Sequence, residues 1–301
     1  MDLAWLWIPA TIFAAAAQAG RNAVQRGLTQ TLGTLGATQV RFIYGFPFAL
    51  LFLAVAAGIA GTPLPGVNGP FLAYVAAGAV VQIAATALML AAMRDRAFVV
   101  VTAWTKTEPV QVAVFGFAIL GDPFTLMGAA AVVVATLGVI LMSVRTGMAH
   151  EARAAGWRPT VLGLVSGAGF ALASVSFRGA ILSLEEGPFF LQASWSLVWS
   201  LGMQVVMLAL WMLLFRRDLL RRCLAAWRVS IWGGFLGAAA SQGWFLGFAL
   251  TSAANVRTLG LLEVLFAQVL SYRVFSQGAT GREWMGIVLI VGGVALLLLT
   301  A

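Results

Sequence analysis

The chain reads as long apolar runs separated by short polar breaks. A helix needs ~20 mostly apolar residues to cross a ~30 Å hydrocarbon core. Runs of that kind lie at roughly 3–25, 36–60, 70–92, 97–120 and 124–144, and again at roughly 160–183, 188–215, 228–250, 254–275 and 284–300. The breaks carry turn chemistry, as in GTPLPGVNGP at 61–70 and GDPF at 121–124. None is long enough to hold a soluble domain. The pattern predicts an all-α integral membrane protein with ten transmembrane helices. The first run, LAWLWIPATIFAAAAQAG, has the hydropathy of a signal peptide but no basic residues ahead of it, and further spans follow it, so it is read as the first transmembrane helix.

Composition agrees. The chain is 61% hydrophobic and only 9% charged, against ~25% charged residues in an average soluble domain. A single cysteine, Cys223, excludes an intramolecular disulfide, and a single histidine, His150, leaves no metal-ligand cluster. Without a metal set or a nucleophile–base pair, neither an enzyme nor a cofactor is expected. The net charge of +8 invites a nucleic-acid partner, but the arginines sit in short loops between apolar spans, so none is expected.

Those arginines orient the chain. Of the 18 basic residues, 14 fall in or beside loops that follow odd-numbered spans, among them Arg21, Arg94, Arg96, Arg145, Arg153, Arg217 and Arg221. The opposite loops have only Arg178 and Arg257, both at span ends, while Arg41 and Lys106 fall within spans. The positive-inside rule makes the arginine-rich loops cytoplasmic and puts both termini outside. The expected location is a bacterial inner membrane.

The second half echoes the first. At a constant offset of 155 residues, Glu108 aligns with Glu263, Thr125 with Thr280, and Gly138-Val139 with Gly293-Val294. Gln82 and Gln242 add a looser echo. The chain divides into repeats at 1–150 and 151–301, each of five spans. Five is odd, so the second repeat enters the membrane from the other side. Inverted-topology repeats are a transporter architecture, with the solute site near the bilayer midplane.

One short stretch stands out: WTKTEPV, residues 104–110, places a lysine, a glutamate and a proline inside an apolar run. Glu108 falls at the centre of span 4 and Glu263 near the centre of span 9. A charge at that depth costs at least ~2.5 kcal/mol, so two carboxylates at matching positions are expected to face the protein interior. At ~100° per residue a continuous helix would put Trp104, Glu108 and Gln111 on one face. Lys106 would point away from Glu108 and needs a partner on another span, either a glutamate or a substrate carboxylate. Pro109 removes a backbone donor and frees the Thr105 carbonyl, which in lipid must be satisfied by protein or cavity water. Gln82 with Thr86, Ser241 with Gln242, and Arg41 with Tyr44 extend the set of polar residues in spans, where each is either helix–helix glue or a ligand contact. Arg41 has a third option, to snorkel to the cytoplasmic surface. Trp5, Trp7 and Trp284 sit where an interfacial aromatic belt is expected, while Trp104 and Trp244 lie deeper and suit a flat apolar solute. The run GFLGAAASQG at 234–243 is small at most positions and predicts close helix packing.

The stretch from Ala97 to Ile140 resembles the second part of a repeat from the drug/metabolite transporter superfamily of the EamA type. The likeness lies in Pro109 midway along span 4, Gly121-Asp122 at its end, and Gly138-Val139 late in span 5. The family usually shows Gly-Glu where Gly121-Asp122 stands. In the second half Val264 replaces the proline and Ser276-Gln277 the Gly-acid pair. As a whole the chain looks most like the aromatic amino acid exporters. That resemblance implies outward transport of phenylalanine, tyrosine, tryptophan and related solutes through a central cavity. The protein is expected to function as a monomer. The expected lining, from spans 3, 4, 8 and 9, is Gln82, Trp104, Lys106, Glu108, Gln242, Trp244 and Glu263. Trp104 and Trp244 would contact the apolar part of the solute, and Lys106 or Glu108 its carboxylate or ammonium. Glu108 and Glu263 are also the candidates for proton coupling. The alternative solute is a cationic drug or another metabolite; a cationic drug would favour an exposed carboxylate with no lysine beside it.

Overall fold

Apolar runs that cannot expose backbone amides to lipid must satisfy them internally, and helices do so within one segment. The computed structural model describes residues 3–93, 104–123, 125–143, 157–275 and 280–299. Arg94, Arg96, Arg145, His150, Arg153, Ser276 and Gln277 lie outside the described residues, as does the 97–103 start of the expected fourth span. Among the described residues there is no strand. The helices are α1 Trp7–Ala60, α2 Gly69–Met93, α3 Glu108–Phe115, α4 Leu126–Ser143, α5 Arg158–Leu182 and α6 Phe189–Phe215. They continue as α7 Arg217–Ala225, α8 Trp227–Leu250, α9 Ala253–Leu259, α10 Leu262–Phe275 and α11 Gly281–Leu298. Six described helical segments are long and apolar enough to span: Leu35–Ala60, Gly69–Met89, Leu126–Ser143, Thr160–Leu182, Phe189–Phe215 and Gly281–Leu298. The chain is an all-α, multi-pass membrane protein.

Two compact units divide it. The first comprises Met1–Ala79 and Phe177–Leu250, the second Val80–Ser176 and Thr251–Ala301. In the first unit, the expected separate spans at 3–25 and 36–60 are one element, α1, whose two arms meet at Gly33 (φ 68°, ψ 174°). Only glycine takes that positive φ without steric cost, so a single residue replaces the expected loop. The arms run back along each other: Gln25 Nε2 donates to Ala37 O at 3.3 Å. The small-residue face of α8 packs on both. A Cβ on Gly243 would lie 2.7 Å from Ala10 O, and one on Gly234 would collide with the Tyr44 backbone.

Two local expectations are corrected in this unit. Residues 216–227, read as a loop, contain α7, which is bent by 87° from α8. Its Leu219, Leu220 and Cys223 pack on Leu28, Leu32 and Ala37 of α1, while Arg222 donates to Thr31 O at 2.5 Å. A short helix with arginines on one side and apolar residues on the other suits a membrane surface. Cys223 is therefore helical and fully buried. Trp7 belongs to the core at 5% exposure, whereas Trp5 and Trp284 are exposed as an aromatic belt requires. Tyr44 is helix glue, its hydroxyl donating to Leu224 O at 2.9 Å.

In the second unit α4 and α11 cross on glycine. A Cβ on Gly138 would sit 2.7 Å from Gly286 O, and one on Gly293 would sit 2.6 Å from Ala135 N. Both helices start on a threonine. Thr125 Oγ1 accepts from Gly128 N at 3.0 Å, and Thr280 forms a capping box with Glu283, which satisfies amides that a helix start leaves unpaired.

Candidate functional site

The residues of 104–110 do not form one helix. The chain turns at Lys106-Thr107, where Thr107 N and Oγ1 both donate to Trp104 O, at 3.2 and 2.7 Å. A new helix, α3, starts at Glu108 with Pro109 in its first turn. Proline is tolerated there because the first amides of a helix have no intrahelical partner. The helical phase expected to run through Trp104, Glu108 and Gln111 is thus interrupted: Glu108 is buried at 8% while Trp104 is 37% exposed. α5 meets this break with a glycine, since a Cβ on Gly167 would lie 3.2 Å from Thr105 O.

Span 9 breaks at the corresponding place. α9 ends at Leu259, Gly260 and Leu261 turn, and α10 starts with Glu263 in its first turn. Each carboxylate therefore sits at the start of a helix, where the aligned peptide dipoles favour negative charge.

The charges pair across these breaks. The Arg257 Nη2 on α9 lies 2.6 Å from Glu108 Oε1, with the side chains 20% and 11% exposed. Lys106 Nζ lies 4.0 Å from Glu263 Oε2, and its side chain is the most exposed of the four at 31%. Arg257 also feels the Glu263 charge. The order Glu108, Arg257, Glu263, Lys106 alternates in sign and sums to zero, an arrangement that offsets much of the cost of taking each ion out of water. The Arg257 contact is short and the Lys106 contact long, so the Lys106–Glu263 end is the looser one.

The expected site residues separate into groups. Lys106, Glu108 and Glu263 come together in the second unit. Gln82 is half-buried on α2 of the same unit, its carbonyl accepting from Thr86 Oγ1 at 2.8 Å. Gln242 and Trp244 belong to the first unit and bind neighbouring helices there. Gln242 Nε2 donates to Ser194 Oγ at 2.9 Å. Trp244, 6% exposed, donates from Nε1 to Gln18 Oε1 at 3.1 Å. Arg257 is the member the sequence does not single out, because it lies at the end of the expected span 254–275. A charge count does not reveal it, because Lys106 and Arg41 already supply two in-span cations for two in-span carboxylates; the signal lies in the break of the helix after Leu259.

A cavity of about 80 Å³ also lies in the second unit, lined by Gly116, Asp122, Thr125, Ser252 and Asn255 among others. Pockets for drug-sized ligands measure roughly 300–1,000 Å³, so this one is too small for an aromatic amino acid.

No protein-family model matches the chain, and no curated protein matches it. Among solved structures, one described simply as "Crystal structure of protein" aligns over 100% of this chain and 97% of its own, with a TM-score of 0.69 and 13% identity. At that identity the likeness shows a shared fold.

Proposed function

We propose that the chain is a bacterial inner-membrane transporter of the drug/metabolite superfamily, exporting aromatic amino acids and related small solutes by alternating access. In this reading ten spans form two inverted five-helix repeats, with arginine-rich loops in the cytoplasm. The observation that carries it is the pair of broken helices, each restarting on a buried carboxylate that faces a basic side chain, at 2.6 Å for Glu108–Arg257 and 4.0 Å for Lys106–Glu263. Discontinuous helices with charged ends are characteristic of transporter solute sites. The offset of 155 residues that relates Glu108 to Glu263 also relates the capping residues Thr125 and Thr280 and the packing residues Gly138 and Gly293, which supports the repeat.

Solute class follows from the charge order. A cationic solute needs a carboxylate without a competing cation, whereas here both carboxylates face one. A zwitterion suits the looser end: its carboxylate exchanges onto Lys106 as its ammonium exchanges onto Glu263. Trp104, on the same unit and partly exposed, offers an indole for the apolar part of the solute. The test is uptake and release of labelled tryptophan in proteoliposomes, with and without an imposed pH gradient, for wild type beside Glu108→Gln. Flux that follows the tryptophan gradient and ignores pH makes the protein a facilitator. Flux that needs the pH gradient and vanishes in Glu108→Gln makes that carboxylate the coupling site. Absence of tryptophan flux in a folded preparation, with flux of a cationic dye, would reject the aromatic amino acid assignment.

A further inference from the structure

The first unit holds a second charged feature. Arg21, 8% exposed on the first arm of α1, and Arg41, half-buried on the second arm, bring their side chains together over Gly237 of α8. A Cβ on Gly237 would lie 3.2 Å from Arg41 Cγ and 3.4 Å from Arg21 Cδ, so the missing side chain is the floor on which both arms rest. Gly237 is near the middle of the 24-residue α8, which places the pair about 15 Å from the start of that helix at ~1.5 Å per residue. The Arg41 stem is held against α8, which is not the course of a side chain snorkelling along the surface. Arg41 stacks on Phe42, with Cζ 4.8 Å from the ring centroid, and it feels the like charge of Arg21. No acid pairs with it among the described residues. On the Arg21 side, Asn22 Oδ1 accepts from Nε at 3.2 Å and from Nη2 at 2.7 Å, which fixes the plane of that guanidinium.

Two arginine stems that converge on one glycine bring like charges into each other's field, and an anion held by both removes the repulsion while accepting their hydrogen bonds. We propose that Arg21 and Arg41 form an oxyanion-binding site within the first unit, with Gly237 as its floor, taking a carboxylate or phosphate group. Planar guanidinium forks match those groups with paired donors, which a lysine cannot do.

The test is thermal unfolding of the purified full-length protein in a chloride buffer of fixed ionic strength. Three probes are added separately: 3-phenylpropionate, inorganic phosphate, and micelles carrying phosphatidylglycerol in place of phosphatidylcholine. At least one should raise the midpoint saturably in wild type. In Arg41→Lys, which keeps the charge and loses the fork, that probe should bind about tenfold more weakly or worse, and Gly237→Leu should lose the response as well. A response to the two soluble anions identifies a solute or free-ion site, and a response to phosphatidylglycerol alone identifies a lipid headgroup. No response to any probe in wild type, or an unchanged response in Arg41→Lys, overturns the proposal. None of the probes carries an ammonium group and none has to be transported, so a failed tryptophan flux leaves this result standing, and the reverse also holds.

Discussion

Arg257 shows what the sequence conceals at the scale of one residue. Glu108, Glu263 and Lys106 were legible because a charge inside an apolar run stands out. Arg257 is not, because hydropathy alone gives span 9 as one continuous helix from about Ala254, on which the arginine is an end residue. The break at Gly260-Leu261 changes its surroundings and brings it 2.6 Å from Glu108. Removing one partner of a buried pair leaves the other charge uncompensated, at about 3–5 kcal/mol. Arg257→Gln should therefore lower thermal stability strongly, and Arg257→Gln combined with Glu108→Gln should recover much of the loss. Lys106→Gln should cost about 1 kcal/mol or less, since that pair is long and its lysine partly exposed. The two single variants and the double variant, melted side by side with wild type in detergent, form the measurement. A double variant as unstable as Arg257→Gln alone would mean that Arg257 acts through packing and not through charge.

At the scale of elements, apolar periodicity located most helices to within a few residues, and it failed where one residue or one turn decides the path. Gly33 closes the two arms of α1 without a loop, and nothing in the surrounding hydropathy marks it. α7 was hidden because five arginines within 216–228 read as a solvated loop, while the residues it packs on α1 are Leu219, Leu220 and Cys223. The glycine-rich seams were legible as close packing, but not which glycine bears the contact. Gly292 and Gly293 on α11 separate the two cases. A Cβ on Gly292 meets nothing within 4 Å, whereas one on Gly293 would lie 2.6 Å from Ala135 N and 2.9 Å from Ala131 O, both backbone atoms that cannot step aside. Gly292→Ala should be neutral or stabilising by up to about 1 kcal/mol through helix propensity. Gly293→Ala should destabilise by about 1–3 kcal/mol through overpacking. Melting the two neighbours in one buffer checks both signs. Equal effects would mean that α4 and α11 do not pack through Gly293.

At the scale of the whole molecule, composition alone was enough for membrane residence, because 9% charged residues cannot cover a soluble surface of this size. Compact units were not legible. The repeats expected from the sequence would divide the chain near residue 150, whereas each unit takes segments from both sides of that boundary, and no pattern along one strand of sequence reveals which helices from different halves pack together. Orientation rests on charge, and the fold supplies a clean way to measure it. Between the exposed turn at Glu186 and the exposed Arg221 on α7 lies one candidate span, Phe189–Phe215. Its 27 residues are about 40 Å long at ~1.5 Å per residue, enough to cross a ~30 Å core with some tilt. The two positions must then face opposite compartments, and the arginine bias puts Arg221 in the cytoplasm. Cys223 is fully buried and bonded to Gly36 O, so it should stay silent toward a membrane-impermeant maleimide and can be left in place. On intact bacterial cells expressing single variants, Glu186→Cys should label and Arg221→Cys should label only after lysis. The reverse pattern would invert the orientation expected from the arginine-rich loops. Labelling of both from the same side would mean that Phe189–Phe215 does not cross, which would end the ten-span reading whatever the charge pattern says.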